Sequence, residues 1–585
     1  MSQRKVPPPA FWEIQRKQKV ISALLFIVLF IFYFLSTGVI SAAILFSADL
    51  FIPGFSFLAA SFFKPYVVIL ISVSFILTLI NFISARKKGS LYILKNLRAC
   101  TPDPEDRYHL TFLNILEEMK ISSGIPVIRG YIIPTVNLNS LSLIDRDGKP
   151  AIVITEGLLG EASRDELQAV VAHETAHILS DDTFLLTLVC SIASFYEKLI
   201  DSLEKERDLS EDMLKRPDKG TSPVQPLVYL AGIFSCAILK LFITFLSQKR
   251  EMLADATAVE LGRDPMALAR IIYKAHLANS FLGESNLFTP LFLVPPDSRE
   301  IKETIWDKLF NTHPPLTIRL KNLAAMAHRE LKDVIDGVRK QEENREKLRL
   351  KYTPVDDLPT EYGEKLKKLQ LQARVALEKD RVWFVRESGG AWNGPYLLGE
   401  LITLPFFTPA LRVKNLKENL EGPARSFPQV RFALYRQLKK QPIDPNLKNR
   451  CPFCLTDLDE SFYEGVKIKK CSGCRGKLVS FNHLEKIFAR KELSFSERLR
   501  QKALNYKEAL LKTDLKIPVV KEKPPALCPE CGLQFTLRPF NYFYLMPVYK
   551  CYNCQLIWFE DEELEILQLL VEEKIRSWYR QNPIE

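Results

Sequence analysis

Two runs without a single charged side chain, Val20–Phe46 and Pro65–Ala85, constrain this chain more than any other feature of it. Each is long enough to cross a bilayer, which takes ~20 apolar residues, and soluble core helices of such length nearly always carry a polar residue. A cleavable signal peptide is short and closes on a small-residue site; here the first run is long, aromatic-rich and soon followed by the second. These properties predict a retained transmembrane hairpin over residues 20–88, behind a cytoplasmic segment over 1–19. Its orientation follows from the flanks. Arg4, Lys5, Arg16, Lys17 and Lys19 precede the hairpin and Arg86, Lys87, Lys88, Lys95 and Arg98 follow it, which predicts that both ends are cytoplasmic.

A chain of 585 residues is too long for one hydrophobic core, so several domains are expected. Eight of its eleven cysteines fall in four C-x-x-C pairs near the C-terminus, a usage that points to zinc in a reducing compartment rather than to disulfides. Cys100, Cys190 and Cys236 remain, with packing as their default role. The formal net charge of +11 suits an anionic membrane surface and a nucleic acid equally, and so decides neither.

Past the hairpin, over residues 89–327, the pattern becomes mixed. Val127–Ile133 and Ala151–Thr155 read as short strands. Ser163-Arg164-Asp165-Glu166 has the form of a capping box, and Leu167, Val170, Val171, His173, His177 and Ile178 then recur at helical spacing. That helix carries His173-Glu174-Thr175-Ala176-His177. Residues four apart share a helix face, so both imidazoles address one ion while Glu174, one residue round, faces a water on it. Neutral imidazoles bind zinc without quenching its charge, which brings the pKa of a bound water to about 7. Glu174 is then the expected general base.

A catalytic zinc takes three protein ligands, and Glu251 is the candidate third. It lies in a second helical stretch, where Asp255, one turn later, is placed to fix the tautomer of a ligand histidine. Two more apolar segments, 184–200 and 226–246, separate His177 from Glu251. Both ligands must meet at one ion on one side of the membrane, so the number of crossings between them is even. Two segments satisfy that whether or not they span.

In combination, these residues resemble the HtpX-like membrane zinc peptidases, relatives of the CAAX prenyl endopeptidases. The likeness covers roughly residues 21–323. "VITEGLL" before "DELQAVVAHETAHILSDD" is similar to the family's strand and active-site helix, and "KREMLADATAVEL" to its glutamate-ligand helix. In "FNTHPPLTIRLKNL" the resemblance implies that His313 and Arg319 stabilise the oxyanion, where positive charge helps. Asn139-Ser140-Leu141-Ser142 departs from the family's usual Asn-Ala-Phe-Ala and lacks the glycine that follows it. The resemblance further implies an extended peptide held on a sheet edge, with Asn139, Ile152 and Val153 on the substrate side and Ala151–Thr155 as the candidate strand. It implies broad specificity for exposed or misfolded segments, including those of membrane proteins.

Residues 328–380 are charged and rich in helix formers, as in a solvated helical connector. Over 381–445, Arg381-Val382-Trp383-Phe384-Val385 and Gly394-Pro395-Tyr396 through Leu401 resemble a GYF-like module, which implies that Trp383 and Tyr396 stack on a proline-rich ligand. The same residues also fit a plain small α/β domain with a buried tryptophan. Cys451, Cys454, Cys471 and Cys474 (446–490) and Cys528, Cys531, Cys551 and Cys554 (524–585) each form a four-thiolate, closed and therefore structural zinc site. Leu478, Leu484 and Glu485 recur as Trp558, Leu564 and Glu565 at equal offsets, which marks an internal repeat, and both sets resemble zinc ribbons of the transcription-factor-IIB type. Between them, 491–523 reads as a basic helical linker whose charge a solvated face explains without nucleic acid.

The expected whole is an α+β multidomain membrane protein: transmembrane helices, a mainly α gluzincin-type peptidase domain with a small sheet, a small α/β module and two zinc ribbons. Its expected activity is zinc-dependent endopeptidase chemistry at the cytoplasmic face of a bacterial inner membrane, with one catalytic and two structural zinc ions. Its partners are then lipid, protein substrates and a proline-rich or other protein ligand. The rival reading is an inactive membrane-tethered adaptor that binds protein or nucleic acid through its ribbons; such a protein should have lost a ligand or the base, and here none is missing.

Overall fold

The computed structural model describes residues 90–145, 147–180, 250–278, 291–295, 314–352, 381–386, 390–439, 448–512, 526–541 and 544–581, with single helical positions elsewhere. Two compact units are present, residues 1–343 with 581–585, and residues 344–580. Among the described residues no helix is long and apolar enough to cross a membrane. The expected spans over 184–200 and 226–246 lie outside the described residues, and the hairpin is described only at positions such as Ile27, Ile31, Phe34, Phe75 and Ile80. These positions are helical. Phe34 and Phe75, one from each apolar run, meet edge to face at 6.3 Å.

The first unit is built on α1 (Arg107–Ser123), β1 (Arg129–Ile133), β2 (Ser140–Ile144), β3 (Pro150–Thr155), α2 (Glu156–Glu161) and α3 (Arg164–Leu179). These are followed by α4, described over 250–262, α5 (Pro265–Ala278) and α6 (Leu316–Met326). The three strands lie in the order β1-β3-β2. Central β3 runs parallel to β1 and antiparallel to β2, so both of its edges are already paired. This corrects the expectation that Ala151–Thr155 offers an edge to a peptide: the edge strands are β1 and β2. Ile152 and Val153 are accordingly fully buried between neighbours.

The turn from β3 into α2 brings Gly157 against the backbone. A Cβ there would come within 2.1 Å of the Val136 carbonyl oxygen, so only glycine fits. Helix α3 opens with the expected capping box, in which Ser163 accepts from the Glu166 N–H and Glu166 accepts from the Ser163 N–H. Fully buried Glu166 also pairs with Lys274 of α5 at 2.8 Å, so one carboxylate both caps the active-site helix and ties it to its neighbour. Burial continues round every face of α3, as in a helix enclosed on all sides.

In the second unit, β4 (Trp383–Arg386), β5 (Trp392–Tyr396), β6 (Arg412–Asn415) and β7 (Leu420–Pro423) form an antiparallel sheet ordered β5-β4-β6-β7. Helices α7 (Leu398–Ile402) and α8 (Pro428–Leu438) pack on it. Trp383 is 3% exposed and meets Phe427 edge to face at 5.1 Å. Its indole therefore belongs to the core with Val385, Leu401, Val413 and Val430, which corrects its assignment to a ligand face; Tyr396 is half-buried against the same cluster.

The two cysteine-rich segments are not separate beads. β8 (Leu458–Tyr463), β9 (Val466–Cys471) and β10 (Lys477–Ser480) belong to the first, and β11 (Thr536–Pro539), β12 (Pro547–Cys551) and β13 (Leu556–Phe559) to the second. They form one six-stranded sheet, β11-β12-β13-β10-β9-β8, joined through antiparallel β10 and β13. Leu478 pairs with Trp558 there. Those two residues occupy equivalent places in the repeat, so a local two-fold axis passes between them, as in an isologous dimer interface made within one chain. Helices α9 (Phe481–Ala489), α10 (Glu497–Lys512) and α11 (Glu563–Gln581) accompany the sheet.

Candidate active site

The helical spacing of His173 and His177 sets their rings edge to face, with centroids 4.8 Å apart and Nε2 atoms 3.2 Å apart. Helix α4 brings in Glu251, whose Oε2 lies 3.6 Å from His173 Nε2 and whose Oε1 lies 3.4 Å from His177 Nε2. Zinc bonds of ~2.1 Å in a tetrahedron put ligand atoms about 3.4 Å apart. All three side chains are buried. Three converging lone-pair donors at that spacing, away from water, fit a zinc ion by both chemistry and distance.

Asp255 completes the support: its Oδ1 lies 3.1 Å from His173 Nδ1, which leaves Nε2 as the ligating nitrogen. Arg319 of α6 grips Asp255 with two hydrogen bonds, Nε to Oδ2 at 2.9 Å and Nη2 to Oδ1 at 2.8 Å. Its Nη2 also lies 3.5 Å from Glu251, and Nη1 donates to the Leu293 carbonyl at 2.8 Å. The oxyanion role expected of Arg319 is therefore not what its contacts describe. A guanidinium committed to two carboxylates and a carbonyl holds the ligand shell in place. His313 lies outside the described residues.

These contacts dominate the electrostatics. Burial alone would lower the His173 pKa, but hydrogen bonds and charge from Asp255 and Glu251 outweigh it and raise it to about 9. Burial would likewise raise Glu251 and Asp255. The histidines hold Glu251 well below the usual carboxylate range, and Arg319 pulls Asp255 down.

Glu174 is 1% exposed. Its Oε1 accepts a hydrogen bond from Ser140 Oγ at 2.6 Å, and its buried Oε2 has no hydrogen-bond partner among the described residues. Asn139, expected on the substrate side, is fully buried and fastened to the chain itself: Nδ2 donates to the Val294 carbonyl at 2.7 Å, and Oδ1 accepts from the Val294 N–H at 3.2 Å. Residues 291–294 thus lie along the outer side of β2, with Phe292 bridged to Leu141 and the Leu293 N–H donating to the Ser140 carbonyl at 3.0 Å. This segment carried no signal in the sequence, and Ser140 stood out there only as part of the departure from the family's Asn-Ala-Phe-Ala.

Both cysteine quartets converge, with sulfurs within 4.8 Å of one another. Cys451 and Cys474 sulfurs are 3.5 Å apart and those of Cys531 and Cys551 3.6 Å, near the about 3.8 Å expected of ~2.3 Å zinc–sulfur bonds in a tetrahedron. The residue after each pair, Leu455, Arg475, Gly532 or Gln555, has a positive φ between 53° and 70°. Only one of the four is glycine, so three of the four equivalent knuckles carry a cost in backbone strain.

A buried helix with two histidines and a glutamate, a glutamate ligand from a second helix and an edge strand alongside define a zinc metallopeptidase. Comparison with known proteins agrees: residues 146–327 match the model of peptidase family M48. A protease HtpX homolog of Dictyoglomus turgidum is 30% identical over 262 residues, 44% of this chain and 83% of that protein. Another, from Pyrococcus abyssi, is 31% identical over 216 residues, 36% of this chain and 72% of its own. The crystal structure of S. mikatae Ste24p aligns with a TM-score of 0.29 at 16% identity, covering 52% of this chain and 66% of that one. Residues 450–490 match a transcription factor zinc-finger. The chain belongs to the HtpX homologues of peptidase family M48.

Proposed function

We propose that the chain is an endopeptidase that hydrolyses exposed or misfolded segments of membrane-associated proteins at the cytoplasmic face of a membrane. The observation that carries this reading is the convergence of His173, His177 and Glu251 beside a Glu174 with one bare carboxylate oxygen. His173, His177 and Glu251 would hold a zinc ion, which would supply Lewis acidity to the scissile carbonyl and to a water. Glu174 Oε2 takes the proton of that water and passes it to the leaving amine. Asp255 keeps His173 in its ligating tautomer, and Arg319 keeps Asp255 and Glu251 in place. Substrate main chain aligns with the edge of β2.

Membrane embedding rests on the charge-free runs with their basic flanks, and on the exposure of Ile27, Ile31, Val68, Ile71, Phe75, Leu79 and Ile83 within them. The C-terminal modules are proposed to recruit protein. Arg498 and Lys502 of the basic linker are engaged by Glu562, and Arg500 by Glu346, which leaves less free positive charge for a nucleic acid than the residue count suggests.

Glu174→Gln in liposomes tests the mechanism. Zinc content should be unchanged while cleavage of an unfolded membrane protein falls roughly 10²–10⁴-fold, the range for loss of a general base. Undiminished cleavage would overturn it. Resistance of the full chain to an alkaline carbonate wash tests the embedding, and its release into the supernatant would refute it.

A further inference from the structure

We propose that Ser140 is a positioning residue for the general base: its hydroxyl fastens one oxygen of the Glu174 carboxylate and so determines which oxygen faces the metal. The proposal rests on the peptidase reading above.

The terminal torsion of a glutamate is broad and nearly two-fold, so a carboxylate on a helix does not orient itself. Glu174 needs a donor to choose between its oxygens. Ser140 supplies one at 2.6 Å, a separation typical of a hydroxyl donating to a charged oxygen. Both side chains are buried to 1% exposure, so bulk water offers no substitute donor. The result is asymmetric: Oε1 is occupied, and Oε2, buried and without a hydrogen-bond partner among the described residues, is left for the reacting water.

The donor itself stands on fixed backbone. Ser140 pairs with Ile154 of central β3 on one side. On the other, its carbonyl accepts from Leu293, and its N–H is held by Asn139 Oδ1 at 3.1 Å. Asn139 is in turn anchored to Thr155 Oγ1 at 2.9 Å and to both polar groups of the Val294 backbone. A hydroxyl on so constrained a strand transmits the position of the sheet to the carboxylate of the helix. Misplacing a catalytic group by ~1 Å costs up to 10²-fold in rate, so the expected effect falls on turnover.

Ser140→Thr and Ser140→Val test this, because their side chains are alike in volume and differ in the hydroxyl. In the full chain in liposomes, both should retain wild-type zinc and a KM within about twofold, while kcat of the valine variant falls about tenfold below that of the threonine variant. Equal kcat for the two, or a difference confined to KM, would overturn the role of Ser140 while an inactive Glu174→Gln control leaves the peptidase reading standing. Full activity of Glu174→Gln would remove that reading and the role of Ser140 with it. If valine disturbs folding, read as lost zinc, Ser140→Ala serves in its place with the same expected loss of kcat.

Discussion

Around His173 the acids do the arranging. Asp255 and Glu251 together lift its pKa to about 9 against the opposing pull of burial, so below that pH the imidazole holds a proton that must leave before zinc enters. The sign follows directly: apparent zinc affinity should rise about tenfold per pH unit up to about pH 9 and level off above it. Competition with a chelator between pH 6.5 and 9.5 measures this, and an affinity that does not change across the window refutes it. Asp255→Asn should weaken zinc binding roughly 10–100-fold and move the break to lower pH, since the charge that raises His173 is gone. At this scale the ligands themselves were legible, because helical spacing forces His173 and His177 onto one ion. The grip of Arg319 on Asp255 and the bond from Ser140 to Glu174 were not, since each joins elements far apart in sequence, and a lone arginine or serine carries no periodicity to reveal it.

Among the elements, the zinc ribbons show both what pattern conveys and where it stops. The cysteine spacing and the equal offsets of Leu478 and Trp558 disclosed the repeat, but not that those residues face each other across β10 and β13. Strand pairing between repeats has no local signature. The same limit explains β3, whose apolar run reads alike for a central and an edge strand, and Trp383, whose alternation does not say which face is buried. The shared sheet makes a prediction. A Cβ at Gly476 in the first ribbon would lie 2.1 Å from the Trp558 ring of the second, so Gly476→Ala should destabilise both halves. Overpacking of this kind costs about 1–3 kcal/mol. During chelator titration both cysteine sites of the variant should release zinc earlier than wild type; earlier release from the first site alone would show that the halves are independent.

Taken as a whole, the molecule places its candidate metal centres in different units. The histidine–glutamate centre belongs to one compact unit and both cysteine quartets to the other. The full chain should therefore contain three zinc ions, and His173→Ala should lower the count by one and abolish cleavage while the thiolate-bound zinc persists, as metal analysis of purified protein will show. Loss of all three from that variant would contradict the separation. The broad plan was readable from charge-free runs, histidine spacing and paired cysteines, because each reports a local requirement of lipid or metal. What the sequence did not convey was the chain's use of its own segments as partners. Residues 291–294 already lie against Ser140 and Leu141, buried and tied through Asn139 and Arg319. Among the described residues, this segment therefore takes up the outer side of β2 at Ser140 and Leu141. If substrate main chain aligns with β2 as proposed, pairing along the whole strand would require displacing this resident tetrapeptide, a threshold that the chain itself would set.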